Sequence, residues 1–253
     1  MNKSFLGLKY FKIYSLVLAT LWLGLFLDST QVSNYISYNQ HLTNILVLVV
    51  FIYIYKQVAI KTKKLMIYGV IIAIGGELLF SLVLGMYTYR LENLPIYVPL
   101  GHAIVYVAVY YIIKEPLVIS NQNRIIPFLY YSIIIYSTLW LYYAKDIFGF
   151  VCMLGILYIF YKRPQTKLFF TFMFFMIVYL ELLGTYYSCW WWPQIWFDKI
   201  DLISSANPPS GISIFYFAFD IGCLWFYKKF NINKWKRYKN IKNIKSIVNN
   251  SNI

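Results

Sequence analysis

Hydrophobic residues along this chain gather in long unbroken stretches, without the strict alternation of a half-buried strand. Eight such stretches can be traced, at about 10 to 28, 42 to 60, 65 to 88, 96 to 113, 125 to 144, 147 to 162, 167 to 190 and 210 to 228. All but the short sixth approach the roughly 20 residues that a helix needs to cross about 30 Å of hydrocarbon. Backbone amides find no water in lipid, so each segment must be helical or belong to a closed barrel. Continuous apolar runs of this length select the helix. The expected fold is an all-α polytopic membrane protein with about eight transmembrane helices.

Composition agrees with the pattern. Of 253 residues, 60% are hydrophobic and only 13% charged, where a soluble domain has about a quarter charged. That excess of apolar side chains excludes a disordered chain, a small disulfide-stapled domain and a fibre. Cys152, Cys189 and Cys223 all fall in apolar segments without CxxC spacing, which suits small buried side chains better than a disulfide or a zinc site.

The net charge of +14 changes the picture once its residues are located. Twenty Lys and Arg fall at one set of alternate loops: around Lys3 to Lys12, Lys56 to Lys64, Lys114 and Arg124, Lys162 to Lys167, and Lys228 to Lys245. Only Arg90, Lys145 and Lys199 fall at the other set. Short cytoplasmic loops are rich in cations, so both termini are expected in the cytoplasm, with the protein in a bacterial inner membrane. The basic segment at 230–253 is then a tail for anionic headgroups, each cation contributing about 1 kcal/mol, and no nucleic acid is needed to explain it. The N-terminus is basic and then apolar like a signal peptide, but no small-x-small cleavage site follows Leu27, so a retained first helix is expected.

The two halves of the chain resemble one another. Thr20-Leu21-Trp22-Leu23 with Asp28 matches Thr138-Leu139-Trp140-Leu141 with Asp146; Tyr55-Lys56 matches Tyr161-Lys162; Glu77-Leu78-Leu79 with Ser81 matches Glu181-Leu182-Leu183 with Thr185; Pro99-Leu100-Gly101 matches Pro209-Ser210-Gly211. The offsets of 118, 106, 104 and 110 need only small insertions. The expected organisation is a first four-helix repeat at 1–114, a second at 115–229 related by an axis along the membrane normal, and the tail.

Polar residues inside a membrane segment are expensive, and this makes them functional candidates. Glu77 and Glu181 lie midway along their helices, where desolvation favours a neutral carboxyl able to donate a proton. Ser81 and Thr185 follow by one turn and are expected to hydrogen-bond to their glutamates. Between Tyr87 and His102 the chain is densely polar. The fourth helix is expected to start near Pro99, placing His102 in its first turn, where it could act as acid, base or ligand, or simply as a hydrogen-bonded helix-entry residue. Tyr89 and Arg90 join the candidate substrate-binding residues, Arg90 either toward an anionic headgroup or toward Glu92. In the second half, Trp190, Trp191, Trp192 and Trp196 fit an interfacial aromatic belt. Asn207 or Ser210 of the Asn-Pro-Pro-Ser-Gly turn fits a helix cap, Asn207 also being a substrate-binding candidate. Asp220 is a third buried acid with no cation at its depth, and is counted with the same set.

With two histidines in all, a membrane di-iron desaturase is excluded, and no P-loop, G-x-S-x-G or HExxH motif occurs. No metal or other cofactor is expected. The order Glu77, then Gly85-Met86-Tyr87-Thr88-Tyr89, then Val98-Pro99-Leu100 resembles carotenoid hydratase-type integral membrane proteins over about 25 residues. That resemblance implies protonation of an isoprenoid double bond and addition of water, whereas Arg90, Glu92, His102 and the Asn-Pro-Pro-Ser-Gly turn depart from its pattern. The expected function is an enzyme acting on a lipophilic substrate, an isoprenoid or lipid, in an outward-facing polar cleft, with glutamate acid/base chemistry and Glu77, Glu181 and His102 as catalytic residues. A proton-coupled transporter and a structural or assembly protein are the alternatives.

Overall fold

The computed structural model describes residues 8–196, 200–233 and 235. Lys3, Lys199 and most of the basic tail lie outside them. The described residues are 75% helical. Its helices are α1 (Phe11–Leu27), α2 (Thr30–Ser33), α3 (Asn39–Gln57), α4 (Ile60–Glu77), α5 (Tyr97–Ile112), α6 (Pro116–Ser120), α7 (Gln122–Ala144), α8 (Ile147–Lys162), α9 (Lys167–Tyr186) and α10 (Ser213–Phe230). α4 continues as a π-helix over Leu78–Val83. Three stretches, Ile60–Val83, Gln122–Ala144 and Pro164–Tyr186, are long and apolar enough to cross a membrane, and they mark the chain as an integral membrane protein. Its outer surface agrees: Ile45 and Val49 on α3 are 60% and 59% exposed, an apolar face that lipid covers at no penalty and water would not.

The long helices coincide with the eight apolar stretches to within a few residues at most ends. The start of α5 differs slightly from the one expected at Pro99. The helix begins at Tyr97, two residues ahead of Pro99, because a proline in the first turn removes an amide that has no intrahelical partner anyway. His102 therefore sits in the second turn rather than the first. α10 begins at Ser213 with Ile212 before it and no side-chain cap, so neither Asn207 nor Ser210 acts as the expected cap.

Packing brings the acid-bearing helices to the centre. α4 lies between α5 and α10, and α9 touches α1, α5, α7 and α10. α1, α3 and α5 pack mutually, as do α7 and α8. Two short antiparallel ribbons close the end away from most lysines. In one, β1 (Thr88–Tyr89) pairs with β2 (Trp190–Trp191). In the other, β3 (Ile195–Trp196) pairs with β4 (Ile200–Ser204).

Two fully buried aspartates tie loops to this frame. Asp28, just beyond α1, receives Arg90 Nη2 at 2.5 Å and the Tyr97 hydroxyl at 2.7 Å. Asp146, at the start of α8, accepts from the amides of Gly149 at 3.1 Å, Ala206 at 3.0 Å and Ser210 at 2.7 Å. Gly149 has no alternative: a Cβ there would overlap the Asp146 carboxylate and the Ser210 amide. At the lysine-rich end, buried Glu115 accepts from the amides of Lys9 at 2.7 Å and Tyr10 at 2.6 Å, joining the end of α5 to the start of α1. The Arg90 partner is thus Asp28, with Asn39 Oδ1 at 2.9 Å, and not Glu92 or a headgroup. Removing one partner of a buried pair leaves an uncompensated charge and costs about 3–5 kcal/mol. Arg90→Ala should therefore lower the thermal unfolding midpoint of the purified protein sharply, whereas Glu92→Ala, at an exposed position, should leave it unchanged.

Candidate functional site

The β1–β2 ribbon explains how loops about a hundred residues apart build one site. Thr88 faces Trp191 and Tyr89 faces Trp190 across the ladder. Arg90 N, bonded to the Cys189 carbonyl at 2.9 Å, extends it. Residues directly opposite share a face, and residues two apart along a strand share it too. Tyr87, Tyr89, Trp190 and Trp192 therefore project together, with Tyr87 and Trp192 rings 4.6 Å apart. Trp191, of opposite parity, is 43% exposed, whereas Tyr89, Trp190 and Trp192 are buried.

All four polar tips on that face are spent on carboxylates. Tyr87 Oη and Tyr89 Oη donate to Glu77 Oε2 at 2.5 and 2.6 Å. His102 Nε2 lies 2.9 Å from Glu77 Oε1. Trp190 Nε1 and Trp192 Nε1 donate to Glu181 Oε2 at 2.9 and 3.1 Å, and Tyr216 Oη donates to Oε1 at 3.0 Å. Burial, followed by the charge of Glu77, holds the phenols of Tyr87 and Tyr89 well above the usual range, so both remain donors. The imidazole of His102 stacks on the Tyr216 ring at 4.6 Å between centroids, joining the two clusters.

The clusters differ in chemistry. An indole N–H donates and cannot accept, whereas phenol and imidazole do both. Glu181 Oε2 is committed as an acceptor by two indoles, so a proton on this residue can reside only at Oε1, facing Tyr216. The phenol partners of Glu77 can donate or accept a hydrogen bond, and its imidazole partner, His102, can also take a proton or give one. Glu77 with His102 is therefore the arrangement suited to proton exchange, and Glu181 is the carboxyl whose oxygens are held more rigidly as acceptors.

Glu77, Glu181 and His102 line one cavity of about 840 Å³, mouth included. The rest of its wall is aromatic and aliphatic, with Phe80, Phe215 and Phe219 among the rings. Tyr89 and Tyr97 also reach it. Two glycines allow the rings to close in: a Cβ at Gly76 would overlap Phe219, and one at Gly184 would overlap Trp190.

Other expected members behave differently. Ser81 lies in the π-helix, where ordinary helical spacing no longer relates it to residue 77, and its hydroxyl donates to the Tyr87 carbonyl at 3.3 Å. Thr185 donates to the backbone carbonyl of Glu181 at 2.8 Å, the local bond that hydroxyls make inside helices. Neither bonds a carboxyl. Asn207 Oδ1 accepts from the Trp192 amide at 3.0 Å and so positions the ribbon from outside the cavity. Arg90 is held in its ion pair with Asp28. Asp220 lines a second, smaller cavity. Sequence reasoning passed over Tyr87, Tyr97 and Tyr216, and assigned Trp190 and Trp192 to a belt. The signal for the ribbon was an aromatic at alternate positions, Tyr87 with Tyr89 and Trp190 with Trp192, after each buried glutamate.

Among the described residues no three of His, Cys, Asp and Glu come together as a metal-ligand group. Comparison with family models, curated proteins and solved structures gives no match to this chain. The ribbon geometry separates neighbours in the sequence. Trp190→Phe and Trp192→Phe each delete a donor to a charged group, an interaction contributing about 1.5–3 kcal/mol, and should lower the unfolding midpoint. Trp191→Phe should change stability by no more than about 0.5 kcal/mol; equal effects at all three positions would contradict the shared face.

Proposed function

We propose that this chain is a membrane-embedded enzyme that performs acid/base chemistry on a lipophilic substrate, an isoprenoid or related lipid, held in the cavity beneath the ribbon. The observation that carries this reading is the convergence of Glu77, His102 and Glu181 on one space whose remaining wall is apolar and aromatic. Such a wall accepts a hydrocarbon, and the polar groups fix where it reacts.

In this reading Glu77 donates a proton to the substrate and His102 shares the proton left behind. Protonating a double bond leaves a cation. Rings such as Phe80, Phe215 and Phe219 stabilise a cation over their faces by about 0.5–2 kcal/mol each, and the Glu181 carboxyl, fixed by three hydrogen bonds, offers oxygens whose positions are set in advance. The resemblance to carotenoid hydratase-type proteins favours the same chemistry. Water adding to the cation would return one proton to Glu77 or His102, so the residues end as they began.

The same proposal includes eight crossings in two four-helix halves, with both termini in the cytoplasm. Reciprocal packing supports it: α4 of the first half packs on α10 of the second, and α9 of the second on α5 of the first. Asp28 and Asp146, matched in sequence, also hold the corresponding loops of the two halves. Cysteines substituted at the exposed residues Glu92 and Gln122 should react with an impermeant thiol reagent from opposite sides of the membrane; labelling from one side would refute the alternation.

Glu77→Gln and Glu181→Gln should each reduce turnover by roughly 10²–10⁴-fold while the folded protein stays in the membrane. Mass spectrometry of lipid extracts, comparing a deletion strain carrying the wild-type or variant chain, would detect the accumulated precursor. Unchanged lipids combined with lost proton-driven uptake in vesicles would instead support the transporter, and loss of folding in both variants would support a purely structural role.

A further inference from the structure

Beneath the main cavity lies a smaller one, lined by Leu65 and Gly69 of α4, His102 and Tyr106 of α5, Met173 of α9, and Asp220 and Cys223 of α10 among others. His102, Val105, Tyr216 and Phe219 line both. Asp220 Oδ2 is buried with no hydrogen-bond partner among the described residues. Leaving a buried carboxyl oxygen unmatched costs about 1–3 kcal/mol or more, so its retention in an apolar helix calls for a use. The cavity can hold a water molecule, and Asp220, Tyr106 and His102 offer the two or more polar partners that a buried water needs.

We infer that Asp220 is the proton reservoir of the Glu77–His102 pair, joined to it by water in this second cavity. The inference rests on the acid/base reading of Glu77. Once Glu77 has given up its proton, the Nε2 proton of His102 passes to Glu77 Oε1. The ring takes a replacement at its other nitrogen from the bridging water, and the water takes one from Asp220. The net change is one proton moved from Asp220 to Glu77, with Asp220 left as a carboxylate and His102 in its other tautomer. The proton released when product forms retraces the path. Other titratable groups facing Asp220 are Tyr106 from α5 and Tyr216 and Cys223 from α10 itself, while α4 and α9 present only Leu65, Gly69 and Met173 to the cavity. Asp220 is a positioning and supply residue, since it meets the substrate only through His102.

Infrared spectroscopy of the purified full-length protein in lipid nanodiscs, in H₂O and D₂O, tests the link without any substrate. A protonated-carboxyl band should disappear in Asp220→Asn and move in Asp220→Glu, which keeps the group should the first variant fail to fold. The same band should shift in His102→Gln. A band indifferent to His102→Gln, or no band assignable to Asp220, overturns the inference. With lipid conversion as readout, Asp220→Asn should slow turnover roughly tenfold, less than the roughly 10²–10⁴-fold expected on losing the acid itself. That deficit should deepen as pH rises, because resupply then depends on protons from bulk water. A uniform loss at every pH counts against the reservoir. Band coupling with no lipid change in any variant keeps the link to His102 and refutes only the enzyme reading.

Discussion

A carboxylate taken out of water must be surrounded by donors, and in a chain whose Lys and Arg gather in loops and the tail, most of those donors come from phenols, indoles, one imidazole and backbone amides. Most of the architecture around the site follows from this demand. Asp28, Glu77, Glu115, Asp146 and Glu181 are all buried, and among the described residues only Asp28 and Glu77 of these are paired with a basic side chain. Glu115 and Asp146 are answered by amides, Glu181 by two indoles and a phenol. Each acid therefore ties down a segment beyond its own turn.

The division of labour between the two glutamates follows from what surrounds them rather than from their own identity. Both look alike in sequence, but neither sits midway as expected: Glu77 is the last residue of α4, where the π-helix takes over, and Glu181 lies in the last turns of α9. Their difference lies in the partners: groups that exchange protons around Glu77, and donor-only indoles on one oxygen of Glu181. The π-helix immediately after Glu77 adds to this asymmetry. It widens the turn on which the Tyr87 and Tyr89 loop rests and frees Ser81 to hold that loop, and such π-turns are frequent at functional sites.

The all-α class, the long apolar helices and the two buried glutamates were legible because apolar length and the free energy of burying charge act locally. Glu77 and Glu181 stood out in any window of their own segments, and His102 stood out as one of two histidines. What the sequence concealed depends on partners chosen across distance. Arg90 pairs with Asp28 across 62 residues, while Glu92, two positions away, offered the nearer answer. The amides that bond Asp146 carry no residue identity to read. Trp190 and Trp192 have the composition of an interfacial belt, and only strand pairing turns them inward. Thr185 failed for a local reason, because a hydroxyl in a helix has a backbone carbonyl closer at hand than any carboxyl, and Ser81 because the π-helix turns it to the Tyr87 carbonyl.

The direction of synthesis gives these hydrogen bonds an order. Asp28, Glu77, Asp146 and Glu181 precede their side-chain and amide partners in the chain, so a ribosome delivers each acid before the groups that satisfy it. Glu115 is the reverse: its partners, the amides of Lys9 and Tyr10, emerge first. Its arrival can clasp the beginning of the nascent chain to the end of α5 when the first four long helices are complete, so that half of the bundle is latched before the other half has been translated.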